Sequence, residues 1–225
     1  LVITGLYPRI TGVLHWWINF SFSTSTLMID GGEHVATIVS LFLIPITIID
    51  NRKSHWNLKN SINTFFEKTM FSKTIALTFY DIIKIQIAVI YLHAAIGKCS
   101  VQEWIDSSVI YYWLNDPVFG LNDFLKSLLL SFFANSYIIS LISWSVITIE
   151  LLLFSAYFMN SVRKKIMLLI GCFFHISIIF LHGLTSFSII MIGVLIMYLL
   201  DSKISHHMEH EKSAEAYLGP ETGTH

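Results

Sequence analysis

Charge is scarce in this chain. Asp, Glu, Lys and Arg make up 13% of its 225 residues, against 54% hydrophobic residues and a mean hydropathy of +0.66, whereas soluble domains carry about 25% charged residues. That deficit excludes an ordinary soluble domain. A net charge of -1 leaves no basic field to gather nucleic acid, so no nucleic-acid partner is expected and the 14 Lys and Arg matter by position. Cysteine is nearly absent, and Cys99 and Cys172 lie far apart in the chain, outside any spaced ligand motif. Neither a disulfide nor a metal centre is expected from them. No protease motif, Cys-x-x-Cys pair or nucleotide-binding loop is present, so no motif names a reaction. The chain starts at Leu1 without a charged n-region or a small-residue cleavage site, and the expectation is a fragment whose N-terminus lies upstream.

What the chain does have is apolar length. A spanning helix needs about 20 mostly apolar residues, because a hydrocarbon core of roughly 30 Å is crossed at 1.5 Å per residue with every backbone group bonded internally. Five or six segments qualify: Ile10 to Leu27, the weakest and diluted by Ser and Thr, then Gly32 to Ile49, Thr74 to Gly97, Tyr137 to Met159, Ile166 to Leu184, and the shorter Phe187 to Leu200. The loop from Asp50 to Ser72 holds Arg52, Lys53, Lys59 and Lys68, and the turn before the fifth span holds Arg163, Lys164 and Lys165. By the positive-inside rule these read as cytoplasmic, while Cys99 to Ser136, with Lys126 as its single base, reads as external.

Two connecting segments carry patterns of their own. From Asn57 to Ser72, the apolar Leu58, Ile62, Phe65, Phe66 and Met70 recur at helical spacing against Lys59, Asn60, Asn63, Glu67 and Lys68, which predicts an amphipathic helix lying in the interface. Trp104, Tyr111, Tyr112 and Trp113 suit headgroup level, with Asp116-Pro117 ending that element. After Leu200 the chain turns polar and rich in histidine, and residues 201–225 read as a cytoplasmic tail following a membrane domain of residues 1–200.

An ionisable group at the centre of a span costs about 2.5 to 3.5 kcal/mol on insertion scales, so each one asks for a partner or a role. Asp81 and Lys84 are three apart in the third span and are expected to pair on one helix face. Glu150 lies in the fourth span with no base within a turn of it, so its partner must come from another helix; His175 and His182, seven apart in the fifth span, are the candidates. Lys98 closes the third span after Tyr91, His93 and Gly97. It reads either as a snorkelling anchor or, if withdrawn from water, as a lysine able to lose its proton and act as base or nucleophile.

Several strings together resemble a known family. They are Pro8-Arg9-Ile10-Thr11-Gly12 with His15-Trp16-Trp17, Asp30-Gly31-Gly32, Asp50 to His55-Trp56, Tyr91 through Lys98, Glu103-Trp104, Tyr112 through Pro117, and His182-Gly183-Leu184 with Ser186-Phe187-Ser188. Across residues 5 to about 200 they look like the SdpB family, membrane proteins of sporulation-delaying-protein type antimicrobial peptide systems. That resemblance implies a bacterial cell-membrane protein that makes or matures a secreted peptide toxin. It further implies partnership with the lipid bilayer, the toxin precursor peptide, and other membrane or soluble proteins of the toxin system. The SdpB family is in turn similar to the HTTM domain of vitamin K-dependent gamma-carboxylase, which uses a lysine base on reduced quinone. By that likeness Lys98 inherits the candidate catalytic role, His55 a second one, and quinone becomes the candidate cofactor. Hydropathy puts His55 and Lys98 at opposite ends of one span, so they share a site only if the Asn57 to Ser72 segment re-enters the membrane.

The expected fold is therefore an all-α integral membrane protein, a bundle of about six transmembrane helices with one interfacial amphipathic helix. Three functions are carried forward: toxin maturation by an unnamed mechanism, a quinone-dependent carboxylase-like enzyme with Lys98 as base, and a non-enzymatic export or assembly partner of the precursor. In the carboxylase-like reading His55, Glu150 or His175 assists Lys98; in the last, Glu150 and the Asp81–Lys84 pair only organise the bundle.

Overall fold

The helices of this chain begin and end where local chemistry dictates. In the computed structural model, which describes residues 3–25, 31–54, 56, 69–117, 120, 121, 123–133 and 135–200, the positive φ of Gly5 (64°) and Tyr7 (46°) turns the chain into α1 (Pro8–Ser25). Proline opens that helix without cost, since a first-turn N–H has no intrahelical partner. Then follow α2 (Gly31–Ile48), α3 (Met70–Cys99), the short α4 (Gln102–Ile105), α5 (Ser108–Asn115) and α6 (Asp123–Phe133). The chain continues through α7 (Ser136–Ser155), a 3-10 turn at Ala156–Phe158, α8 (Ser161–His182) and α9 (Thr185–Leu199). Side chains of Thr69, Asn135 and Asn160 accept from Ser72, Tyr137 and Arg163 backbone N–H groups and start α3, α7 and α8. Gly183, at φ 69°, ends α8 in the left-handed conformation that favours glycine.

Four of the six expected spans are long and apolar enough to cross a membrane: α2, α3, α7 with its 3-10 turn, and α8. The other two are helices that fall short on different grounds. Ser, Thr and Asn dilute α1, and α9 is an apolar helix only 15 residues long, about 22 Å at 1.5 Å per residue. Among the described residues there is no strand, only an isolated bridge between Leu6 and Ser54. The expected interfacial helix falls on residues 57–68, outside the described residues, while Met70–Ser72 form the first turn of α3. The tail, residues 201–225, also lies outside them.

The short α9 is nonetheless the hub. Its Ser188, Met191, Val194, Leu195, Tyr198 and Leu199 are buried at steps of three and four, the period of one helix face. They pack against Val35 and Val39 of α2, Ile83, Ile87, Ala88 and Tyr91 of α3, and Leu153 and Ala156 next to the end of α7. Because lipid tails are as apolar as leucine, close packing and hydrogen bonds hold such a core rather than escape from water. Both devices are present. A Cβ on Gly171 of α8 would stand 2.7 Å from Leu195 Cδ1, and one on Gly12 of α1 would stand 2.6 Å from Thr47 Oγ1 of α2, so each pair of helices meets where a side chain is missing. The hydroxyl of Tyr80 donates to the Met197 carbonyl (2.9 Å) and that of Tyr198 to the Leu153 carbonyl (3.0 Å).

The end of α2 is stitched to the N-terminal segment. Tyr7 N–H donates to the Lys53 carbonyl (2.9 Å), Trp56 Nε1 donates to the Ile3 carbonyl (2.9 Å), and Arg9 reaches Asn51. Within that turn Arg52 grips both carboxylate oxygens of Asp50.

Candidate membrane-embedded ion-pair site

The last two turns of α3 set up the site. Tyr91 and Lys98 are seven residues apart and fall near one face of the helix, the face whose Ile87, Tyr91 and Ala95 are buried. Antiparallel to it, α7 buries Ile147, Glu150 and Leu153 along a matching stripe. Where the two stripes meet, Lys98 Nζ lies 2.7 and 2.9 Å from the two Glu150 oxygens. Glu150 is the more enclosed partner, its side chain 8% exposed against 21% for Lys98.

Aromatic groups roof the pair. Lys98 Nζ is 5.2 Å from the Trp104 ring centroid, within the range of a cation–π contact. Trp104 stays there because Ser143 of α7 donates its hydroxyl to the Trp104 carbonyl (3.1 Å). Trp113 of α5 then sets its ring edge-on to Trp104 (6.4 Å) and to His182 of α8 (5.5 Å).

About two turns along α3, the Tyr91 hydroxyl is 3.1 Å from His175 Nε2, and both residues are almost wholly buried. The rings of Phe174 and Phe187 pack on His175. Among the described residues its Nδ1 is buried with no hydrogen-bond partner, although one of a neutral imidazole's two nitrogens donates and the other accepts. Outside the membrane-crossing helices, the Asp106 carboxyl is held below the usual range by the Ser108 N–H, and the Arg52 guanidinium is raised by its hydrogen bond to Asp50.

The geometry redraws the expected partnerships. Glu150 does find its partner on another helix, but that partner is Lys98 rather than His175 or His182, because the lysine ammonium reaches back along α3 as helical side chains do. Asp81 and Lys84 do not pair: Asp81 is exposed, while Lys84 is buried with its ammonium 4.5 Å from the Tyr80 ring centroid. His55 lies outside the described residues. Asp50 follows the far end of α2, whereas a Cβ on Gly31 at the near end would stand 3.7 Å from the Phe187 ring that packs on His175. Those two ends are about 25 Å apart along an 18-residue helix. Tyr91 is the site residue without a role assigned from sequence, and its seven-residue interval from Lys98 was the available signal.

Chemically, a lysine and a carboxylate at this distance neutralise two charges that the membrane would otherwise penalise. They also place one proton between two atoms that can each hold it, the arrangement an acid–base pair requires.

Comparison with known proteins agrees with this architecture. The HTTM domain model matches residues 38–202. Sporulation-delaying protein SdpB of Bacillus subtilis (strain 168) is 43% identical over 199 residues, 88% of this chain and 60% of that relative. The uncharacterized protein YitO of the same organism is 37% identical over 206 residues, 91% of this chain and 65% of the relative. The chain thus spans less than two thirds of the length of these curated relatives. No solved structure matches it. With apolar helices that can cross a bilayer and a domain match over most of its length, the chain is a membrane protein of the HTTM domain family, similar to SdpB.

Proposed function

We propose that this protein is a multi-pass component of a bacterial cell membrane that makes or matures a secreted antimicrobial peptide toxin, acting on the precursor at the Lys98–Glu150 site. The supporting observation is that pair itself: a lysine turned into the bundle and hydrogen-bonded to both oxygens of a buried carboxylate, in a chain 43% identical to a protein named for delaying sporulation. The toxin precursor, other proteins of the toxin system and the bilayer are its partners. Residues 1–200 form the membrane domain and residues 201–225 the cytoplasmic tail.

The same observation favours a sharper second reading, an enzyme of carboxylase type. Lys98 is the base and Glu150 takes up or returns its proton. A quinone fits the residues at one point, since His175 Nδ1 is a buried hydrogen-bonding atom without a partner among the rings of Phe174, Phe187 and Tyr91. Reduced quinone, when bound, would be the hydroxyl acid whose proton the Lys98 base takes.

The test is the mass of the peptide secreted by cells expressing the protein with its toxin precursor, wild type against Lys98→Arg at matched membrane levels. Arginine keeps the charge beside Glu150 but does not give up its proton in proteins. Loss of the mature mass in the variant makes Lys98 chemical. An unchanged mature peptide reduces the pair to a structural tie and points to a non-enzymatic export or assembly partner.

A further inference from the structure

Helix α6 has an apolar face that the bundle does not cover. Phe124, Leu128 and Phe132 recur every four residues and are 75%, 64% and 50% exposed, while Leu125, Leu129 and Phe133 on the adjoining stripe are partly buried. At 11 residues the helix is about 16 Å long and cannot cross a hydrocarbon core of roughly 30 Å. It leads directly into α7, whose first turns expose Tyr137 and Leu141 at 85% and 72%. That surface belongs to a span, so lipid is what covers it. The exposed face of α6 is continuous with it in the chain, and the polar Lys126 and Ser127 lie to its other side.

We infer that α6 lies in the membrane interface at the Lys98 end of α3, with its Phe124–Leu128–Phe132 face sunk into the acyl region of that leaflet and Ser127 turned to the headgroups and water. The occupant of this face is therefore phospholipid. A helix so placed is amphipathic in the plane of the membrane rather than across it.

The experiment places nitroxide labels at Leu128→Cys and Ser127→Cys, in a Cys99→Ser and Cys172→Ser background reconstituted into phosphatidylcholine vesicles containing phosphatidylglycerol. Relaxation by oxygen, which concentrates in lipid, is compared with relaxation by a water-soluble nickel chelate. The expected result is an oxygen-dominated ratio at Leu128 that inverts at Ser127. Nickel access at both positions would place α6 in water and overturn the inference. Shielding of Leu128 from both reagents would overturn it in favour of a covering protein surface, including a second copy. Should the cysteine-free background fail to fold, the unaltered protein is photolabelled with a carbene-bearing phospholipid. Adducts on residues 124, 128 and 132 support the placement, and their absence beside adducts at Tyr137 and Leu141 refutes it.

Discussion

Two acid–base pairs sit at opposite ends of this molecule and are built in opposite ways. Arg52 and Asp50 are two residues apart in one turn, with Asp50 also accepting the Arg52 backbone N–H at 3.0 Å. The turn makes the pair, and a short stretch of sequence would make it in many contexts. Lys98 and Glu150 are 52 residues apart, on two antiparallel helices, and meet only if α3 and α7 pack in one register. The first pair reports that a turn has formed. The second reports that the bundle has assembled, and it leaves a polar, proton-holding contact between two apolar helices where the first leaves a clasp within one turn.

Breaking the helix-to-helix pair should therefore cost more than breaking the turn. Removing one member of a buried ion pair costs about 3 to 5 kcal/mol, because the survivor keeps its charge without its partner. The larger loss is expected for Lys98→Met, which strands the 8%-exposed Glu150 side chain. Glu150→Leu should lose less, since a lysine one residue from the end of α3 can swing its ammonium toward the interface. The double variant, apolar on both sides, should recover most of the stability, read as the midpoint of unfolding by detergent or heat in micelles. A double variant no better than Lys98→Met would mean that the pair is not what joins the two helices.

Tyr91→Phe sharpens the comparison within the same end. It leaves His175 Nε2 without its partner in addition to the already unpaired Nδ1, so a loss of about 1 to 3 kcal/mol is expected, the cost of a buried polar atom left unsatisfied. His175→Phe in the same background should cost little further, because it removes the stranded nitrogens. If Tyr91→Phe were neutral, the Tyr91–His175 contact would carry no weight in the fold, and only its nearness to Lys98 would recommend it.

How much of this was legible beforehand follows from the range of each interaction. Helices announce themselves through local apolar length and capping residues, so α2, α3, α7 and α8 match expected spans closely. The central position of α9 was hidden because an all-round apolar helix gives no sign of which face is buried. Glu150 is costly inside a membrane and Lys98 reads as an anchor or a base at a span end, yet their pairing is not readable. It depends on how far α7 is shifted along α3, which no local spacing encodes. Asp81 and Lys84 failed for the reverse reason. Their spacing permits a pair, but burial of the Lys84 stem beside Tyr80 takes the ammonium elsewhere, and tertiary packing overrides the local pattern.

The turn-borne pair should show the smallest effect. Asp50→Asn removes a charge from a residue that is itself buried but leaves Arg52, with a side chain 27% exposed, able to reach water. The guanidinium then loses its charged acceptor without being stranded, and an amide oxygen remains to accept one bond from it. A loss of about 1 to 2 kcal/mol is expected, in the range of a hydrogen bond to a charged group. It should appear as faster proteolysis near Lys53 and as hydrogen exchange at the Tyr7 amide, whose acceptor is the Lys53 carbonyl, with the α3–α7 contact unaffected. If Asp50→Asn instead destabilised the whole bundle as much as Lys98→Met, the two ends would be one cooperative unit, and the distinction between a local clasp and an assembly contact would fail.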